Sequence, residues 1–155
     1  MSMTGEVTFE LRDKDGNLKQ KEKSNNLIVN KGKFHVINQM LSGYGGATTD
    51  PTMSCMAVGT STTGTDLTDT QLWGEVDRKE FGNPDGSKGQ GTGDDERKIT
   101  YIMVWPAGEA TATIGEAGVF NAGAGGEMLC RHVPSNPIPK GATDSLTATW
   151  VITFN

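Results

Sequence analysis

The side chains able to do covalent or metal chemistry are few: two histidines, His35 and His132, and two cysteines, Cys55 and Cys130. Nucleophilic catalysis needs a nucleophile, a base and an orienting group brought together, and a zinc site usually shows ligands paired at short spacing. One such pair exists. Cys130 and His132 lie two apart in "GEMLCRHV", where a strand turns both to the same face. With Cys55 in "MSCMAVGT", a Cys-His-Cys cluster is conceivable, and a Cys55–Cys130 disulfide requires their two strands to be neighbours. Two small buried thiols need neither, and that reading is preferred. His35 sits beside an apolar helical stripe and reads as structural.

Other motifs end in the same way. "DKDGN" (13–17) resembles the start of a calcium loop but lacks the later ligand positions and the closing glutamate. The acidic "GDDE" (93–96) is the densest carboxylate cluster, yet a glycosidase needs two carboxylates flanking a cleft, and adjacent ones in a glycine-rich tip read as a solvated charge run. "GQGTG" (89–93) and "NAGAGG" (121–126) have the look of phosphate loops. A phosphate cradle opens a helix whose N-terminus binds the anion; here strands follow both, so each is read as a turn. Trp150 shares a face with Leu146 and Ile152, and Trp105 ends a strand, so both belong to a core. Trp73, in a polar connection, has no core assignment. No enzyme activity, catalytic residue, cofactor or metal is expected.

The elements positioning these residues read as β. The chain has 155 residues, 34% hydrophobic, with 21 glycines, which favours one turn-rich domain over 1–155 rather than a helical bundle. Its 14 basic against 19 acidic residues give a net charge of −5, which lacks the electrostatic term that dominates nucleic-acid affinity. No apolar run has the length of a membrane span, and no secretory leader is read at the start, so synthesis in a reducing cytoplasm is expected.

Period-two alternation places Val7, Phe9 and Leu11 on one face of a first strand, and Asp15-Gly16 supplies a hairpin turn. One helix is expected near Phe34–Leu41, capped by Asn30, packing Phe34, Ile37 and Leu41 inward and ending at Ser42-Gly43. A strand over Glu75–Phe81 precedes a flexible glycine-rich hairpin tip at 82–96. "EATATIGEAGVF" and "GEMLCRHV" read as strands flanking the second glycine turn, and the prolines of "PSNPIPK" forbid a central strand there. In "ITYIMVWP", Ile99, Tyr101, Met103 and Trp105 form one apolar face and Ile102 and Val104 the other. A strand apolar on both sides calls for a helix over it or a subunit interface, with equal weight on each.

The succession "NLIVNKGK", "MAVGTSTTGTDLTDTQLWGEV", "EAGVFNAGAGGEMLCRH" and "SLTATWVITF" resembles a family of small bacteriophage virion proteins, over Asn26 to Phe154. Cys130, where a small residue is usual, and "VPSNPIPK", in place of an aromatic-containing crossing, depart from the family pattern. The resemblance implies an antiparallel, jelly-roll-like β-sandwich, commonly a homotrimer, located in the virion. The 155-residue length leaves no room for a fibre shaft, which favours a capsid decoration (cement) protein bound to the major capsid protein. Binding only to the mature lattice would stabilise that lattice by linkage. The alternatives are a tail, baseplate or fibre component and a carbohydrate-binding module using Trp73. In the virion reading, Ile102, Val104 and Trp73 are the candidate subunit or capsid contacts, and a cysteine disulfide between copies would clamp the lattice.

Overall fold

The computed structural model describes residues 2–40, 51–82, 84–93 and 96–155. The chain opens with the hairpin β1 (Met3–Arg12) and β2 (Leu18–Ile28). Val7, Phe9 and Leu11 are buried as the alternation requires. Gly16 takes φ +84° at the turn, and the Asp13 carboxylate accepts the N–H groups of Asp15 and Asn17. That is an Asx turn, which occupies one of the oxygens a calcium loop would direct at its ion.

After α1 (Asn30–Met40) come β3 (Cys55–Gly59), β4 (Glu75–Glu80), β5 (Gly86–Gln90), β6 (Lys98–Trp105), β7 (Ala112–Ile114), β8 (Glu116–Phe120), β9 (Met128–His132), β10 (Ile138–Lys140) and β11 (Ser145–Phe154). Among the described residues, nine strands form one antiparallel sheet in the order β4-β3-β8-β9-β2-β1-β11-β6-β5; β10 and β7 pair separately. The expected class, mainly β and antiparallel with one short helix, is what the chain adopts, with the long sheet curled nearly into a barrel. Its two halves face each other across one core, in which Phe9, Met103 and Trp150 meet Met56, Val119 and Cys130. Near the seam, Lys79 of β4 donates to the Val104 carbonyl of β6.

The two faces of β3, β8 and β9 are both buried. Inward residues join the main core, while Cys55, Ala57, Phe120 and Met128 form a second cluster on the outer face with Val29 and Leu72. Val29, just before the helix, and Leu72 of the connection 60–74 cover that face, while Val36 of α1 packs against the main core.

Several sequence expectations are corrected. The helix spans Asn30–Met40, but Phe34 and Ile37 are each 53% exposed instead of packed. The helix docks through Gly32, His35 and Val36: a Cβ on Gly32 would sit 2.1 Å from the Leu129 carbonyl oxygen. Only glycine permits so close an approach to β9, and that approach decides which face turns inward. Leu41 and Ser42-Gly43 lie outside the described residues.

The 82–96 tip contains an edge strand, β5, fully registered against β6 from Gly86↔Met103 to Gln90↔Ile99. "EATATIGEAGVF" is two strands broken at Gly115, where a Cβ would lie 2.6 Å from the Ser61 carbonyl oxygen. Pro139 lies within the short strand β10, in a two-stranded sheet whose strands are both edges, where a missing N–H is tolerated. The 121–126 segment is the expected turn: Asn121 and Glu127 pair through backbone and side chain, with Gly125 and Gly126 at φ +59° and +74°.

Candidate functional site

On the outer face of the sheet, β8 and β9 present one acid and one base side by side. Arg131 pairs opposite Gly118, which brings it diagonally over Glu116. Both side chains have 0% exposure. Arg131 Nε and Nη2 donate to Glu116 Oε2 at 3.0 and 2.8 Å. Nη1 donates to Asp69 Oδ2 at 3.0 Å and to the Gly64 carbonyl at 3.1 Å, and Nη2 also to the Thr63 carbonyl at 2.9 Å. A guanidinium carries five N–H donors, so these five bonds match its full capacity.

The carboxylates are equally engaged. Glu116 accepts the backbone N–H groups of Trp73 at 3.1 Å and Gly74 at 2.6 Å. Asp69 Oδ2 also accepts the Asp66 N–H at 2.9 Å, and Oδ1 accepts Trp73 Nε1 at 3.3 Å. The Thr60 N–H donates to the Gly74 carbonyl, closing the segment into a compact loop of the Ω kind. Gly59 and Gly115 make room for it, since a Cβ on either would lie 2.6 Å from a loop carbonyl oxygen. The result is a long polar connection held rigidly by a buried three-residue clamp. With every donor saturated, the clamp offers no free base or nucleophile; what it does is fix a surface.

That surface is mostly polar, with two large apolar side chains standing out of it. Trp73 is 61% exposed although its backbone and ring nitrogens are both anchored, and Leu67 is 43% exposed. The Leu67 carbonyl accepts the Asn30 N–H, tying the loop to the head of α1, whose outer face carries the exposed Phe34 and Ile37. Among the described residues, four of the six exposed large hydrophobics therefore lie on this loop or on the helix tied to it. A fixed, solvent-facing tryptophan is of the residue type that forms binding hot spots. Trp73 was recognisable in the sequence as an aromatic without a core place; Arg131, Glu116 and Asp69 were not, since nothing local relates them.

The remaining sequence candidates separate. Cys55 lies on β3 and Cys130 on β9, with β8 between them, and they occupy different core clusters. The disulfide and the Cys-His-Cys cluster are therefore not formed; both thiols are free and buried, which also leaves no accessible sulfur for a bond between copies. Burial pushes the Cys130 thiol well up. His132 faces inward with Cys130 and stacks on Phe9, ring centroids 5.8 Å apart. Its Nε2 lies 3.0 Å from Ser24 Oγ, a serine–histidine pair invisible in sequence. At 5% exposure the imidazole offers a substrate no approach, and burial holds its pKa below the ordinary value despite Glu22 nearby.

His35 is buried beside Glu127, Nδ1 to Oε2 3.4 Å. Ile102 and Val104 are half-buried on the outward face of β6. The helix does not cover them, because Val36 lies with Ile99 and Tyr101 on the opposite side. Glu96 is exposed, and Asp94 and Asp95 lie outside the described residues. No group of three or more His, Cys, Asp or Glu stands in metal-holding arrangement among the described residues. No protein-family model, curated protein or solved structure matches this chain.

Proposed function

We propose that this chain is a bacteriophage virion structural protein, a capsid decoration protein that docks on the outer capsid lattice through the exposed side chains of α1 and the 60–74 loop. The observation that carries the docking reading is the buried Arg131–Glu116–Asp69 clamp, which fixes Trp73 at 61% exposure. A rigid aromatic loses little freedom on binding, so most of its burial appears as affinity. The ordered run of motifs from Asn26 to Phe154 supplies the virion part of the proposal. The half-buried Ile102 and Val104 suit a contact between copies, consistent with a homotrimer seated on a three-fold axis. Bound to the mature lattice alone, such a protein raises lattice stability by its own binding free energy.

The deciding experiment is the copy number of this chain in purified particles of the phage that encodes it, relative to the major capsid protein, by quantitative mass spectrometry. A ratio near one-to-one is expected. A ratio of a few hundredths assigns the chain to the tail, where an exposed Trp73 suits host-surface glycan, and its absence from particles discards the virion reading.

A further inference from the structure

We propose that the end of the barrel beneath α1 is a binding site for a single-chain amphiphile with an anionic head, of the medium-chain fatty acid class. The proposal does not depend on the virion reading. A cavity of about 260 Å³ lies between the helix and the inner faces of β6 and β11. Its walls are mostly apolar, from Met53, Ile99, Tyr101, Leu129, Ile152 and Phe154 with Val36 as the roof, and His35, Gln39 and Thr52 are its polar members. Walls of this kind give water few hydrogen-bond partners, and unfilled they forgo dispersion contacts. An unbranched alkyl chain supplies those contacts and asks for no polar partner. Burial pushes the Tyr101 phenol up to about 12, so it remains a neutral part of the wall.

The cavity is not sealed. It shares Met53, Ile99, Tyr101 and Phe154 with a second depression of about 440 Å³, whose rim carries Lys88, Arg97 and Glu96. Lys88 Nζ donates to the Met53 carbonyl at 2.8 Å and lies 3.3 Å from Thr52 Oγ1. Met53 and Thr52 line both spaces, so these bonds hold the ammonium at the junction. Two cations face one carboxylate there among the described residues, on a chain whose net charge is −5. Lys88 and Arg97 over an apolar floor, set against an acidic whole, offer an anionic head two charged partners and an aliphatic tail a wall.

The test titrates the intact chain with monomeric decanoate, decanol and decylamine, following heat by calorimetry and the thermal unfolding midpoint. Decanoate is expected to saturate a single site, to raise the midpoint, and to bind at least tenfold more tightly than decylamine. Lys88→Gln with Arg97→Gln alters only exposed side chains and is expected to remove that preference while leaving decanol binding in place. Val36→Phe fills the cavity from its roof and is expected to weaken all three ligands at least tenfold; if that variant does not fold, Ile99→Phe serves the same purpose. Absence of saturable decanoate binding, equal affinity for decylamine, or indifference to the charge variants overturns the proposal. So does co-sedimentation with phosphatidylglycerol vesicles without binding of free decanoate, which would make the basic rim a lipid-surface contact.

Discussion

Arg131 directs its guanidinium entirely into the fold, to two carboxylates and two carbonyls. Removing it leaves Glu116 buried with its charge unmatched, and breaking a buried pair in this way costs about 3–5 kcal/mol. Arg131→Met is therefore expected to lower the urea midpoint sharply, and to increase exchange of the Trp73 and Gly74 amides, which lose the carboxylate's fixed position. His132 supplies a pH signature. Its folded pKa is depressed from the ordinary 6.5 by desolvation, so the unfolded chain takes up a proton first as pH falls. The stability gained from the neutral ring is complete above 6.5 and is lost as pH drops through the folded value. Unfolding measured from pH 7.5 to 5 should show a downward slope that His132→Gln reduces; an unchanged slope would assign it to the carboxylates.

Among the elements, α1 shows how backbone proximity overrides hydrophobic periodicity. Phe34 and Ile37 recur at helical spacing, yet the helix rotates them outward because Gly32 lets it settle onto the Leu129 carbonyl. Gly32→Ala gains helix propensity of about 1 kcal/mol, but its methyl would meet backbone that cannot yield as a side chain tip does. A net loss of stability is expected. Ile37→Lys, on the exposed face, should stay within about 0.5 kcal/mol of the parent; chemical denaturation of both variants checks the contrast. Strand β2 makes the complementary point. Its inward residues Gln20, Glu22 and Ser24 are polar, opposite Leu11, Phe9 and Val7, and are satisfied by the 133–137 crossing and by His132. A strand judged by its own pattern alone would be placed with both faces in water.

At the scale of the whole molecule, the exposed side chains of α1 and the 60–74 loop, and the half-buried Ile102 and Val104, are separate surfaces, and substitutions distinguish them. Trp73→Ala should leave the fold nearly as stable, since the ring gives up one 3.3 Å hydrogen bond and little buried area. Its expected effect is on docking: about 2 kcal/mol, roughly thirtyfold in Kd for purified capsids, as for a hot-spot residue. Ile102→Glu places a charge in the proposed contact between copies and is expected to shift the sedimenting species from trimer to monomer without loss of β signal in circular dichroism. A parent protein that sediments as a monomer at all concentrations would refute the trimer.

What the sequence determined by itself was local. Side chains alternate across a strand whatever it pairs with, so the inward residues of β1 and β11 were legible from period-two patterning alone, whereas β6, apolar on both faces, left its inward side to the fold. So were the turns at Gly16 and at 121–126, because glycine and Asx chemistry acts over a few residues. The tertiary structure decided what depends on contacts between distant segments: which face of α1 turns inward, that β8 separates the two cysteines, that 86–90 adds an edge strand, and that Arg131 meets Glu116 and Asp69. Arg131 and Asp69 are 62 residues apart. Their pairing arises only when the sheet order brings β9 beneath the 60–74 loop, and no periodicity in the chain encodes that order.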